Sequence, residues 1–138
     1  MTPHKHPMHI VVADDDHDDQ LLVKQAIEDC LTDNDTTSVY NGSQLLNLLC
    51  ENHSRKGDAL PDVILLDINM PQVNGFTALR EIRKDPRLQH IPVYILTTSN
   101  SVFDRETAMR LGATGFYTKP IHFHELKAII SEVTGAVN

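Results

Sequence analysis

The chain has 138 residues, of which 41% are hydrophobic and 22% charged, an ordinary balance for one domain with a real core. Its formal net charge is −7 with no basic block, which argues against nonspecific binding to nucleic acid. No segment approaches the length of a membrane span, and Met1 to His9 has no apolar centre of the signal-peptide kind, so the expected location is the cytoplasm, with no membrane contact.

Residues 1–7 are polar and hold two prolines, which predicts a loose leader. His9-Ile10-Val11-Val12-Ala13 reads as a first strand that runs straight into Asp14-Asp15-Asp16. From about residue 18 the period changes. Leu22, Val23, Ala26, Ile27, Cys30 and Leu31 follow the spacing of an amphipathic helix. Asp16, Asp18 and Asp19 lie near its start, where the helix dipole favours negative charge. Thr37-Ser38-Val39-Tyr40 predicts a short, weak second strand, ended by Asn41-Gly42. A second helix carries Leu45, Leu46, Leu48 and Leu49, and residues 53–61 read as a polar loop. Cys30 and Cys50 fall in helical patterns and form no close pair, so both are expected as buried thiols in a reducing compartment.

Val63-Ile64-Leu65-Leu66 is a third strand, apolar enough to be buried on both faces, and it ends on Asp67. Pro71 and Asn74-Gly75 then force a turn, and Phe76, Leu79 and Ile82 mark a third helix ending near Asp85-Pro86. Pro92 to Leu96 is a fourth strand leading into Thr97-Thr98-Ser99. Val102 to Leu111 is a fourth helix stopped by Gly112. Gly115 to Thr118 is a fifth strand that runs into Lys119-Pro120, and Phe123, Leu126, Ile130 and Val133 stripe a last helix.

Alternating strands and helices imply a parallel sheet with helices on both faces, wound right-handedly. Five such units fit a flavodoxin-like (βα)5 fold with strand order 2-1-3-4-5. In that order Asp14 and Asp15, Asp67, Thr97 and Lys119 all sit at the carboxyl edge of neighbouring strands. Open α/β sheets place their chemistry there.

Three carboxylates held together repel one another, and Mg²⁺ suits such an oxygen-lined site. Beside a divalent ion, one carboxylate can act as nucleophile toward a phosphoryl group. Asp67 is the best nucleophile because its strand is central, while Asp14 and Asp15 are better metal holders. Lys119 would offset charge on the phosphoryl oxygens and the Thr97 hydroxyl would donate to one of them.

Across roughly residues 8 to 134 the chain resembles a response-regulator receiver domain of two-component signalling. The matching stretches are Val12-Ala13-Asp14-Asp15-Asp16, Leu66-Asp67-Ile68-Asn69-Met70-Pro71 with Gly75 beyond, Leu96-Thr97-Thr98-Ser99, and Phe116-Tyr117-Thr118-Lys119-Pro120. Each alone is weak; four in order at strand ends are specific. The resemblance implies that Asp67 is the phosphoacceptor. It implies Mg²⁺ (or Mn²⁺) bound by Asp15 and Asp67 through carboxylates, by Asn69 through its backbone carbonyl and by Asp14 through a water. It makes Thr97 the switch hydroxyl, Phe116 the switch aromatic and Lys119 the phosphate-binding lysine, with a cis Lys119-Pro120 peptide. Asn69, Thr98 and Ser99 occupy the positions that tune phosphoryl lifetime. Thr98 stands where Ala or Gly is common, and its bulk predicts slower dephosphorylation.

By the same resemblance the phosphoryl donor is a sensor histidine kinase or a histidine phosphotransfer protein. Output would run through the surface of the fourth helix, fifth strand and last helix, with Val102, Phe103, Tyr117 and Phe123 as candidates. Few residues follow position 135, so residues 8–135 are expected to form a stand-alone receiver without an output domain. It would act through a downstream protein or through self-association.

Plainer readings compete. Asp14 and Asp15 could cap the first helix, although Asp16 or His17 could do so equally well. Phe116 alone would be core packing. His122 and His124, two apart on a helix, are expected to face different sides and to be solvated, and no Cys/His spacing supports zinc. An aspartyl-nucleophile phosphohydrolase would want an acid two residues after Asp67, where this chain has Asn69. A receiver-like module that binds partners without phosphorylation would have no use for the acidic pair, Asp67, Thr97 and Lys119 together.

Overall fold

The computed structural model describes residues 7–54 and 60–137; the rest of the expected leader and positions 55–59 of the expected loop lie outside them. Strands and helices alternate through β1 (Met8–Ala13), α1 (His17–Cys30), β2 (Asn34–Val39), α2 (Gly42–Ser54), β3 (Val63–Leu66), α3 (Gly75–Lys84), β4 (Val93–Thr97), α4 (Val102–Arg110), β5 (Gly115–Thr118) and α5 (Phe123–Val137). All strand pairs are parallel, in the order β2-β1-β3-β4-β5. This is the flavodoxin-like order anticipated from the alternation.

The doubly apolar strands build two cores. Val11, Ala13, Ile64 and Leu66 point to the layer where Leu45, Leu49, Leu79 and Ile82 pack from α2 and α3. Their neighbours Ile10, Val12, Val63 and Leu65 point the other way, against Val23 and Ile27 of α1 and Leu126, Ile130 and Val133 of α5. Each such side chain removed from water contributes roughly 1.5–3 kcal/mol, so a one-residue slip of β1 or β3 would be costly. That constraint holds the strand ends in register, and with them the residues just beyond.

Several boundaries move. β2 starts at Asn34, three residues before the expected start, and pairs only with β1. At a sheet edge the backbone supplies the ladder, so Asn34 and Asp35 need not be apolar. α2 runs to Ser54 and takes in the start of the expected loop. β4 includes Thr97. α1 is capped by Asp16, whose carboxylate accepts from the Asp18 and Asp19 N–H groups at 2.9 and 3.1 Å. α4 ends at Arg110, and Gly112 beyond it has φ 103°, a region that favours glycine.

Three expectations are corrected. Cys30 is half-buried and Cys50 exposed, because Leu49 takes the inward place beside Cys50; no disulfide joins the two. His122 precedes α5, so its ring escapes the helical spacing and stacks on His124 at 5.6 Å. The Lys119–Pro120 peptide is trans, as is every peptide among the described residues. The trans form is the lower in energy for most X–Pro bonds, and the Lys119 ammonium reaches its carboxylate partners from it.

Arg83, in the last turn of α3, fastens the edge of the sheet. Its Nε donates to Gly112 O at 2.8 Å, and Nη1 donates to Ile91 O at 2.8 Å and Gln89 O at 3.1 Å. Burial pushes its pKa down, yet the guanidinium is compensated by three carbonyls. Arg83→Ala is expected to cost roughly 1–3 kcal/mol in urea unfolding. A loss below about 0.5 kcal/mol would show that the loops before β4 and β5 hold without it.

Candidate functional site

Backbone pairing delivers the acidic residues to one place. The Asp14 N–H donates to Val39 O at 3.0 Å and the Asp67 N–H to Ala13 O at 2.9 Å, so both leave the sheet side by side. Gly75 closes the turn behind them. Its N–H donates to Ile68 O at 3.1 Å, and a Cβ there would collide with the Asp67 carbonyl. Asn74 caps α3 by accepting from the Thr77 N–H at 3.0 Å. Together these contacts press the start of α3 against the end of β3.

Carboxylate oxygens of Asp14, Asp15 and Asp67 all lie within 4.8 Å of one another. Asp14 and Asp67 are buried, Asp67 with only 5% exposure, and Asp15 is exposed. Asp14 accepts from the Asp16 N–H, and Asp67 from the Asn69 N–H, each at 3.0 Å; this leaves the second oxygen of each carboxylate for other partners. Asp67 is thus buried while Asp15 and Asn69 beside it in the cluster are exposed, as is Thr98 next to Thr97.

The Lys119 ammonium fills the middle. Its Nζ stands 2.7 Å from Asp14 Oδ2, 2.7 Å from Asp19 Oδ2 and 3.0 Å from Asp67 Oδ2. An ammonium has three protons, and here each has a carboxylate. Lys119 is set in place by its own N–H, which donates to Thr97 O at 2.6 Å across β4 and β5. Burial alone would lower its pKa, but the hydrogen bonds to Asp14 and Asp19, together with the negative charges of Asp67 and Asp14, outweigh burial and raise it. Burial pushes the Asp14 carboxyl up to about 6, against the opposing bond from Lys119.

Thr97 is fully buried, and its hydroxyl accepts from the Ser99 N–H at 3.4 Å, the outer limit of a hydrogen bond. The Ser99 hydroxyl donates to Asp104 Oδ2 at 2.6 Å, which ties the turn after β4 to the first turn of α4. Phe116 is 6% exposed and packs into the core beside α4, with the Arg105 guanidinium 5.0 Å over its ring. Of the four surface candidates, Val102 and Phe103 are exposed, Phe103 to 70%. Tyr117 and Phe123 are half-buried against the α1/α5 core. Tyr117 donates to Glu132 Oε1 at 2.6 Å, and burial and that carboxylate push its pKa up to about 12.

Three residues escaped the sequence reading. Asp19 counted only as a helix-dipole charge, yet it reaches Lys119. Asp19 is the third residue after the Asp16 cap, and the first turn of α1 turns that position back toward the strand ends. Gln20 is buried, and its amide Nε2 donates to Val12 O, Asp14 O and Val39 O at 2.9–3.0 Å; its Oε1 has no hydrogen-bond partner. A polar residue on the apolar stripe of a helix was the available signal. Ile121 is 94% exposed, beside the Lys119–Pro120 turn, and belonged to no pattern.

The donor set fits a hard divalent cation. All three side chains offer oxygen, and an exposed member leaves room for retained water, as Mg²⁺ or Mn²⁺ requires. Among the described residues no helix is long and apolar enough to cross a membrane.

Residues 10–131 match the family model of the response regulator receiver domain. The probable methanogenesis regulatory protein FilR2 of Methanothrix harundinacea is 31% identical over 92% of this chain and 81% of its own length. Against the response regulator PleD of Caulobacter vibrioides the identity is 43% over 75 residues, but those are 54% of this chain and only 16% of PleD. The phosphorylated cyanobacterial phytochrome response regulator RcpA superposes with a TM-score of 0.83 at 28% identity, over 92% of this chain and 91% of that one. The Mn²⁺-bound form of response regulator Rcp1 gives 0.81 at 26% identity, over 94% and 93%. The chain belongs to the response regulator receiver domain family of two-component signalling.

Proposed function

We propose that this chain is a phosphoacceptor switch in which Asp67 takes a phosphoryl group from the phosphohistidine of a sensor histidine kinase or a histidine phosphotransfer protein. A carboxylate oxygen of Asp67 forms the new bond to phosphorus. The phosphorus–nitrogen bond breaks, and its electron pair returns to the imidazole of the donor. The observation that carries this reading is the meeting of Asp14, Asp15 and Asp67 within 4.8 Å, with the Lys119 ammonium on Asp14 and Asp67. Receiver domains are signalling domains, and this one would catalyse only its own phosphorylation and slow hydrolysis.

Asp14, Asp15, Asp67 and the Asn69 backbone carbonyl are the residues that would hold Mg²⁺ or Mn²⁺. When bound, the cation would supply positive charge against the phosphoryl oxygens and relieve repulsion among the carboxylates. Lys119 would move from the Asp67 oxygen that it now covers to a phosphoryl oxygen, and Thr97 would turn its hydroxyl toward another. Turning Thr97 weakens an already long contact with Ser99, so its cost is small. Phe116 lies beneath α4, where a shift of Thr97 and the turn after β4 would change its packing. The readout would be the surface of α4, β5 and α5, acting on a downstream protein or a second copy. Asn69 has no acidic proton to give, which weighs against a phosphohydrolase.

Three measurements test this. With Mg²⁺ and acetyl phosphate, intact-protein mass spectrometry is expected to find one added phosphoryl group on the wild type and none on Asp67→Asn; an unmodified wild type would leave a phosphorylation-independent binding module. Thr98→Ala is expected to shorten the lifetime of the phosphorylated form about two- to five-fold, because a smaller side chain opens the path of attacking water; an unchanged lifetime removes that role. Calorimetric Mg²⁺ binding should weaken at least about tenfold between pH 7.5 and 5, because Asp14 must give up its proton to serve the ion. The sign for folding without metal is opposite. A raised folded pKa means that Asp14 contributes stability at low pH, and this is lost as pH rises through about 6.

A further inference from the structure

The geometry points to Asp19 as a positioning residue that restrains phosphoryl acceptance, by holding one proton of the Lys119 ammonium and setting a fixed negative charge beside the phosphoryl site. This rests on the phosphoacceptor reading above and adds a residue to it. Asp19 sits on α1, outside the four motifs at the strand ends, and its Oδ2 is 2.7 Å from Lys119 Nζ, as close as Asp14 and closer than Asp67. Its side chain is 29% exposed, against 4% for Asp14 and 6% for Asp67.

The ammonium is fully subscribed by three acceptors, and a phosphoryl oxygen that takes one of its protons must displace or crowd a carboxylate. Asp67 and Asp14 cannot be dispensed with on that reading, since one carries the phosphoryl group and the other faces the cation. Asp19 does neither. It draws on the lysine while adding an anion about one hydrogen-bond length beyond it, roughly 5 Å from where phosphoryl oxygens would lie. At that range a unit charge, largely screened by an open rim, changes an anion's binding or approach by about three- to ten-fold.

The experiment compares Asp19→Asn, Asp19→Glu and Asp18→Asn with the wild type at saturating Mg²⁺. It follows the rate of mass gain from acetyl phosphate and the binding of beryllofluoride by intrinsic tyrosine fluorescence or NMR shifts, with thermal unfolding as a check on the fold. Asp19→Asn keeps an oxygen that can accept from Lys119 and removes only the charge. It is expected to phosphorylate about three- to ten-fold faster and to bind beryllofluoride correspondingly tighter. Asp19→Glu should remain within about two-fold of the wild type, because its charge is kept. Asp18 is exposed, and none of the three lysine contacts involves it. Asp18→Asn removes the same charge one residue away and should change the rate by less than about two-fold.

An unchanged or slower Asp19→Asn, or an equal acceleration in Asp18→Asn, overturns the restraint while leaving the phosphoacceptor reading intact. A wild type that neither gains mass nor binds beryllofluoride overturns both.

Discussion

The Lys119 ammonium and the carboxylates around it are the contact on which the rest of the structure turns. Asp14 and Asp67 are buried, and two carboxylates that both stay ionised out of water need a cation beside them to offset their repulsion. Lys119 fills that part here, at 2.7 and 3.0 Å. Both sheet cores serve the same end, since the register they impose on β1, β3 and β5 brings the three residues to one point. The resting site is therefore internally neutralised in part and strongly anionic overall, a state receptive to a divalent cation.

On the phosphoacceptor reading proposed above, the same contact would join signal and chemistry. Lys119 is bound by its backbone to Thr97, and Thr97 begins the turn that Ser99 ties to α4 through Asp104. Phe116 lies under α4 with Arg105 over its ring. A charge added at Asp67 would, on that reading, have a short chain of contacts toward the α4 face, where Phe103 and Val102 stand exposed. What such a chain needs is one weak link that can change partners, and the 3.4 Å contact between Ser99 N–H and the Thr97 hydroxyl has that character.

Much of this is legible in the sequence. The alternation of apolar runs with helical stripes fits the observed strand order, because parallel strands with right-handed crossovers leave few arrangements. The placement of Asp14, Asp15, Asp67, Thr97 and Lys119 at one edge followed from that order. What escaped was local: the polar start of β2, the half-buried and exposed thiols, the stacked histidines and the trans Lys119–Pro120 peptide. Each depends on which neighbour a residue meets across the fold, and a one-dimensional pattern does not carry that.

By itself, then, the sequence determined the layers and the identity of the groups at the strand ends, and narrowed the strand order to a few, since hydrophobic periodicity and turn chemistry are properties of neighbouring residues along the chain. Only the tertiary structure decided how those groups share a charge. That Asp19 takes a third of Lys119's protons, that Gln20 fastens the carbonyls of Val12, Asp14 and Val39, and that Phe116 lies inward beneath Arg105 are outcomes of packing between elements distant in sequence. Hydrogen-bond capacity is fixed by residue type, but its allocation among competing partners is settled by a few tenths of an ångström in three dimensions.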